Sequence, residues 1–197
     1  MKQWEDLQNE SLEKYMKSKN PVGPFSHREH KSAKIVGKMV NDIIGGQRCL
    51  DVGCGLLPLP AYMEQSPDVL WCGIDPYDIG DERQFPFIKT MIEETPFADG
   101  GFENIFLGTS LDHFKYPTMA TQEIKRILAP NGKLLIWTAL FPESTITDWR
   151  QRGGAFNETH LWGYSHNSLI DLFSEFEFKE RRLVAAGEYF YVFMNKL

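Results

Sequence analysis

A glycine turn follows the first strongly apolar run of the chain. Asp51 is followed closely by Gly53, Cys54 and Gly55, and the apolar residues 48–52 predict a buried strand that leads into the turn. Glycines at such a turn let the chain reverse sharply and let a ligand approach the backbone closely. The helix expected after the turn offers its free N–H groups to acceptor groups. The stretch is therefore a candidate ligand-binding turn.

The residues around this turn narrow the class of ligand. A pyrophosphate beside the turn would be repelled by the carboxylate of Asp51, whereas a cationic ligand would not. Pro58 takes the place of the third glycine in the GxGxxG pattern of nicotinamide and flavin sites. Asp75 ends the next apolar run, where an acidic side chain is placed to accept the two hydroxyls of an adenosine ribose. The alternative is that Asp75 caps a helix or forms a turn before Pro76.

Apolar runs alternate with segments of helical periodicity, which predicts the elements that position these residues. The expected strands cover residues 48–52, 69–74, 85–90, 103–110, 133–140, 176–184 and 188–195. The expected helices cover 28–44, 59–64, 118–128 and 166–173, with further helix before residue 20. This alternation predicts a mostly parallel sheet with helices on both faces and a hairpin at its end. Ligands of such sheets lie at the carboxyl ends of the strands.

Five segments occur in an order and spacing that point to one family. They are LDVGCG at 50–55, GIDPY at 73–77, ETPFADGGFEN at 94–104, GTSLDH at 108–113 and EIKRILAPNG at 123–132. Together they resemble class I S-adenosylmethionine-dependent methyltransferases, most closely the broad type 11 group of small-molecule enzymes. The loop and helix over 160–169 are also similar to that family, and the resemblance spans about residues 45 to 197.

The resemblance implies a Rossmann-like, doubly wound α/β fold. Its seven-stranded sheet would have the order 3-2-1-4-5-7-6, with strand 7 antiparallel. Residues 46–197 would form the cofactor-binding methyltransferase domain. Residues 1–45 would form an N-terminal helical cap that is part of the same domain.

The resemblance also implies S-adenosylmethionine as the cofactor and assigns residues to its parts. The turn after the first strand would hold the methionine part, Asp75 the ribose, and the residues after Asp75 the adenine. The residues at the end of the fourth strand would lie near the sulfonium. The implied cofactor-binding residues are Asp51, Gly53, Cys54, Gly55, Asp75, Pro76, Tyr77, Ile92, Glu93, Ser110 and Leu111.

Methyl transfer is an in-line displacement, so it needs an aligned nucleophile and, for a hydroxyl acceptor, a base. His113 is the candidate base because the resemblance places it just after the fourth strand, and Asp112 would orient it or cap the following segment. A helix cap or a packed histidine is the alternative for His113. The candidate substrate contacts are His160, Tyr164 and His166, in the loop and helix start expected over the site. No metal-ligand spacing links the histidines, so no metal is expected.

Composition restricts the partners and the compartment. The chain has 197 residues, 42% hydrophobic, and a net charge of −6 from 21 Lys and Arg against 27 Asp and Glu. This balance disfavours nucleic acid, so a small-molecule substrate is expected. Three cysteines without CxxC spacing suggest neither a zinc site nor a disulfide framework. The polar N-terminus and the lack of a long apolar run predict no signal peptide and no membrane partner, and a cytoplasmic location. The oligomeric state cannot be read from the sequence.

The favoured function is thus O-methylation of a small molecule with S-adenosylmethionine. A rival is a methyltransferase-like binding module without catalysis, since Leu57 replaces a glycine of the family, Pro58 makes the turn bulkier, and Met91 replaces an adenine-binding Asp. A nucleotide-dependent oxidoreductase conflicts with Asp51 and with the missing third glycine. A protein or RNA methyltransferase is a further alternative, and the acidic charge balance disfavours RNA.

Overall fold

The computed structural model describes residues 4–17, 30–78, 82–143 and 160–196. The helices are α1 (Trp4–Lys17), α2 (Lys31–Ile44), α3 (Ala61–Glu64), α4 (Pro117–Ile127) and α5 (His166–Leu172). The strands are β1 (Arg48–Val52), β2 (Leu70–Asp75), β3 (Phe87–Lys89), β4 (Phe102–Gly108), β5 (Leu128–Ala139), β6 (Phe176–Ala185) and β7 (Glu188–Asn195). Two 3₁₀ turns are formed by Ile92–Glu94 and Leu111–His113.

All seven strands form one sheet in the order β3-β2-β1-β4-β5-β7-β6. The pairs from β3 to β5 are parallel, and β7 runs antiparallel to both β5 and β6. The predicted fold class and strand order are therefore confirmed. The order reverses between β1 and β4, so their carboxyl ends border the crevice in which ligands of such sheets bind.

The central strands are buried on both faces, because helices cover the sheet on each side. In β5, Leu134 and Ile136 belong to one apolar cluster with α4 and α5, whereas Leu135 and Trp137 belong to another with α2 and α3. The same two-residue period divides the residues of β7 between the two clusters. These two cores hold the strand ends, and hence the loops that follow them, in fixed positions.

Three element boundaries differ from the sequence expectation. Pairing of β3 starts only at Phe87, because Pro86 has no N–H to donate and Phe85 is buried in the core. The helix expected from residue 59 begins at Ala61, since Pro60 keeps the chain extended (ψ 147°). Strand β5 begins at Leu128 and not at the expected residue 133, so residues 130–132 lie inside it, as an irregularity with Asn131 at φ 62°. The start of the 28–44 helix lies partly outside the described residues.

Among the described residues, no helix combines the length and the apolar character needed to cross a bilayer.

Candidate active site

A cleft opens at the carboxyl ends of β1, β2 and β4. Its walls come from the glycine turn after β1, the segment after β2, the first 3₁₀ turn and the loop after β4. Helix α1 borders the same cleft through Trp4, Gln8 and Leu12. The cleft therefore lies where the predicted ligand-binding residues converge, and a helix far away in sequence lines it as well.

The glycine turn has the geometry that its residue types predict. Gly53 and Gly55 have φ values of 74° and 71°, in the region that side chains rarely adopt. A Cβ at Gly53 would lie 2.5 Å from the Cβ of Ser110, at the end of the neighbouring strand. The Ser110 hydroxyl donates a hydrogen bond to the Val52 carbonyl at 2.6 Å, which ties the two strand ends together. Only glycine fits at position 53.

Replacing Gly53 with alanine is expected to destabilise the protein more than replacing Gly187. Both glycines have positive φ, which costs an alanine about 1–2 kcal/mol, but a Cβ at Gly187 meets no atom within 4 Å. The contact with Ser110 adds an overpacking cost of about 1–3 kcal/mol. Urea unfolding of the two variants measures the difference. Equal free energies of unfolding for the two variants would contradict the tight approach of β1 and β4.

Asp75 presents its carboxylate at the end of β2. Its side chain is buried, and its two oxygens accept backbone N–H groups from Gly55 and Tyr77, each at 2.9 Å. Burial raises the pKa of Asp75 above its usual value, and these two donors oppose the rise. Asp75 thus links the glycine turn to the segment after β2, and each oxygen retains capacity for another donor. It does not cap a helix, but its bond to the Tyr77 N–H forms the turn at Pro76 that the alternative interpretation predicts.

Asp51 is deeply buried and does not itself line the cleft. Its Oδ2 accepts a hydrogen bond from the Tyr62 hydroxyl at 2.7 Å, while its Oδ1 has no hydrogen-bond partner. Burial raises the pKa of Asp51 to about 7. Tyr62, from α3, lines the cleft. The resemblance implied a methionine-binding role for Asp51, and the sequence gave no sign that Tyr62 would lie between Asp51 and the cleft.

Arg83 is a residue of this site that the sequence reasoning missed. Its side chain is only 4% exposed, and Nη2 donates to the carbonyls of Gly55 at 2.9 Å and Tyr77 at 3.3 Å. The guanidinium lies over the Phe87 ring, 3.8 Å from its centroid. It therefore braces both segments that flank Asp75. A single arginine in a polar segment carries no local signal for such a role.

Most of the implied cofactor residues line the cleft. Gly53, Cys54 and Gly55 lie there with Asp75, as do the remaining members Pro76, Tyr77, Ile92, Glu93 and Ser110. Leu111 differs, because its side chain packs into the core under α4 and does not reach the cleft. Met91 and Leu57, two of the departures from the family pattern, also line it.

The second 3₁₀ turn brings His113 and Asp112 together with His160. His113 lines the cleft, with Nε2 3.9 Å from Asp112 Oδ1, while His160 Nε2 lies 3.4 Å from Asp112 Oδ2. The imidazole rings are 5.0 Å apart. Burial lowers the pKa of His113 to about 4 and raises that of Asp112 to about 6. His113 is therefore a neutral imidazole at pH 7.

Two backbone contacts fix His160 beside this turn. The Asp112 carbonyl accepts the N–H groups of Leu161 and Trp162, both at 3.1 Å, and the Trp162 indole donates to the Phe114 carbonyl at 2.6 Å. His160 itself is not among the residues that line the cleft. His160, which the sequence analysis proposed as a substrate contact, therefore lies against Asp112 and not at the cleft wall.

Helix α1 contacts the same turn from the other side. The Trp4 indole donates to the His113 carbonyl at 2.8 Å, and the Gln8 amide nitrogen lies 3.5 Å from His113 Nδ1. The Lys115 ammonium lies 3.8 Å from Glu5 and 5.5 Å from the centroid of the Trp4 ring. The Nδ1 side of His113 therefore faces a polar group in the cleft, and the Nε2 side faces Asp112.

The other two candidate substrate residues lie away from the cleft. Tyr164 is buried in the core beside α5, with no hydrogen-bond partner for its hydroxyl. His166 begins α5 and stacks on Tyr191, with 2.9 Å between its Nδ1 and the tyrosine hydroxyl. Ser165 caps α5, since its hydroxyl accepts the Ser168 N–H at 3.2 Å.

Comparison with known proteins identifies the family. The family described as a methyltransferase domain matches residues 25–182 of the chain. The protein belongs to this family, whose cofactor is S-adenosylmethionine.

Individual relatives are distant. The chain is 31% identical over 100 residues to the uncharacterized protein YafE of Escherichia coli strain K12, and the match covers 48% of each chain. It thus spans about half the length of that relative. A methyltransferase of Burkholderia thailandensis that acts on N1 of 1,6-didemethyltoxoflavin has a TM-score of 0.67 at 14% identity, covering 97% of this chain and 88% of the other. The cyclase SpnF also has a TM-score of 0.67, at 16% identity, covering 89% and 85%. Both likenesses show the fold alone.

The cleft fits S-adenosylmethionine on its own geometry. The backbone at Gly55 is open to the cleft, because a Cβ built at this position would have no atom within 4 Å. The Asp75 carboxylate is held in place by two backbone donors beside that opening. A buried carboxylate with spare acceptor capacity suits a ribose diol, and the carboxyl groups of Asp51 and Asp75 near the turn favour a cationic ligand over an anionic one.

Proposed function

We propose that the protein transfers the methyl group of S-adenosylmethionine to an oxygen of a small molecule. The observation that carries this proposal is the position of His113, a neutral imidazole that lines the cofactor cleft. The bound cofactor supplies an electrophilic methyl group on a sulfonium. The acidic charge balance argues against a nucleic-acid acceptor.

In this proposal His113 accepts the acceptor's proton at Nδ1. The side chain of Asp112 lies 3.9 Å from Nε2, so its charge favours the tautomer with the proton on Nε2. Nδ1 is then left with a lone pair on the side of the cleft, where the Gln8 amide now lies at 3.5 Å. A hydroxyl of the substrate would take the place of that amide. General-base catalysis of this kind contributes about 10²–10⁴ in rate.

Asp75 and the glycine turn would hold the cofactor, and Tyr62 would lie between the cofactor and Asp51. Arg83 would act as a positioning residue that braces the glycine turn and the Tyr77 segment. Helix α1 would cover the acceptor, with the Trp4–His113 contact keeping it against the second 3₁₀ turn. In this proposal the cap that residues 1–45 contribute is helix α1, whereas α2 packs against the sheet in the core that contains Leu135 and Trp137. The free thiols of Cys49, Cys54 and Cys72 fit a reducing, cytoplasmic compartment.

A product screen tests the proposed reaction. The purified protein and the cofactor are incubated with a panel of small phenols, hydroxy acids and amines, and mass spectrometry detects a gain of one methylene together with S-adenosylhomocysteine. We expect products from hydroxyl acceptors, with none from the Asp75→Ala control. Products only from amines would overturn the O-methylation. Cofactor binding without any product would favour the binding module that Leu57 and Met91 suggest.

A further inference from the structure

Asp112, His113 and His160 offer one donor atom each within 4.8 Å of one another. Two imidazoles and one carboxylate are donors that zinc and similar divalent cations take. Within the part of the chain that the structure describes, no other group of three or more histidine, cysteine or acidic side chains has its ligand atoms within this distance. The sequence did not indicate this cluster, because His160 is distant from Asp112 and His113 in the chain and is brought next to them only by folding.

The distances suit a single ion. Ligand bonds of about 2.1 Å in a tetrahedron separate the ligand atoms by about 3.4 Å. His160 Nε2 and Asp112 Oδ2 are 3.4 Å apart, and His113 Nε2 and Asp112 Oδ1 are 3.9 Å apart. The two distances run to different oxygens of Asp112, and one donor atom from each residue lies within 4.8 Å of the others. Binding of a single ion therefore requires the side chains of His113 and Asp112 to turn toward it, with a fourth position left for water.

The surroundings hold the donors in place. Asp112 Oδ1 is buried without a hydrogen-bond partner, so it has acceptor capacity to give to a cation. The bonds from Leu161 and Trp162 to the Asp112 carbonyl fix the segment of His160 against the turn. On the other side of His113, the Gln8 amide nitrogen lies 3.5 Å from Nδ1. A half-turn of this amide would present Oε1, which can accept the Nδ1 proton of a ligating imidazole and so orient the ring.

We propose that Asp112, His113 and His160 form a site for a divalent cation of the zinc class, and that its occupation switches off the base. A neutral imidazole that binds the cation through Nε2 carries its proton on Nδ1. The lone pair that faces the cleft is then lost, so His113 cannot accept a proton from a substrate. This regulatory role rests on the proposed function, whereas the binding site itself does not.

Calorimetric titration of the full chain with zinc, and the visible absorption of the cobalt form, test the site. We expect one ion per chain with tetrahedral cobalt bands. Affinity should fall by more than about 100-fold in His160→Ala and Asp112→Asn, since loss of an outer partner alone costs 10–100-fold. The control His166→Ala, on a histidine outside the cluster, should keep the wild-type affinity. Circular dichroism of each variant verifies folding.

Failure of the wild type to bind, or equal affinity in wild type and His160→Ala, would overturn the site.

Long-range ¹H–¹⁵N spectra of His113 report its ligated nitrogen without any activity assay. Ligation at Nε2 with the proton on Nδ1 is the expected result, and a His113 ring unchanged by zinc would overturn the switch. In the transfer assay we expect zinc to inhibit and a chelator to restore turnover. An enzyme without turnover contradicts the proposed function and leaves the binding result intact.

Discussion

Replacing His113 with asparagine is expected to lower kcat for methyl transfer by about 10²-fold, the lower end of the range that general-base catalysis contributes, because burial lowers the pKa of His113 to about 4 and so weakens it as a base. Asparagine keeps a polar group near the position of Nδ1 but has no lone pair basic enough to accept a proton. The neighbouring Asp112 carboxylate cannot take over this role, because it does not line the cleft. Steady-state rates in a chelator-containing buffer give the ratio to wild type.

The cofactor affinity of His113→Asn provides the internal control. His113 is assigned to the acceptor and not to the cofactor, so the Kd for S-adenosylhomocysteine should stay within about threefold of wild type. If the role of His113 is only structural, the substitution should change both kcat and the Kd for S-adenosylhomocysteine, or should change the midpoint of thermal unfolding. A kcat within tenfold of wild type in a folded variant would show that another group removes the proton.

The second large effect concerns Asp75. Changing it to alanine is expected to weaken binding of S-adenosylmethionine by at least about 100-fold. Hydrogen bonds to a charged group contribute about 1.5–3 kcal/mol each, and two ribose hydroxyls would be left without their acceptor. Each 1.4 kcal/mol corresponds to a tenfold change in Kd. Isothermal calorimetry measures the two affinities.

The matched control for this experiment is Asp42→Asn, which removes a carboxylate from the exposed side of α2. It should bind the cofactor as wild type does. Asp75→Ala also removes the acceptor for the Gly55 and Tyr77 N–H groups, so its unfolding midpoint must be measured alongside. A folded Asp75→Ala variant with wild-type affinity would mean that the ribose is bound elsewhere.

The parts of the site that the sequence predicts are those in which the chemistry is local. The shape of the turn over Asp51–Gly55 is determined by neighbouring residues, namely two glycines that adopt positive φ and the apolar strand before them. Asp75 follows the same logic at the end of β2. His113 and Asp112 are neighbours in the chain, so their common location follows from the end of β4.

The parts that could not be predicted depend on long-range packing. Trp4 and Gln8 reach His113 across 109 and 105 residues of the chain, and nothing in α1 encodes that contact. His160 meets Asp112 because backbone hydrogen bonds fold the end of the preceding loop onto the turn. The loop's own residues 144–159, where the sequence analysis placed part of the cover over the site, lie outside the described part.

The start of helix α5 was predicted to lie over the site, and this prediction is wrong for two residues. The sequence placed Tyr164 and His166 over the site because a long loop follows a central strand. Ser165 caps α5 and the helix then packs its apolar face onto β7, which carries Tyr164 into the core and His166 onto Tyr191. The periodicity predicted the helix, but it contained no information on where along the carboxyl edge of the sheet the helix start would lie. It lies beside the end of β5, where the Tyr164 carbonyl accepts the Phe141 N–H.

The central claim is that the cleft between β1, β2 and β4 is a cofactor site for methyl transfer. Titration of the purified wild-type protein with S-adenosylmethionine and with S-adenosylhomocysteine tests it most directly. The structure predicts one site per chain, micromolar binding of both ligands, and competition between them. A folded protein that binds neither ligand would contradict the account, because the glycine turn and Asp75 would then serve the fold and not a cofactor.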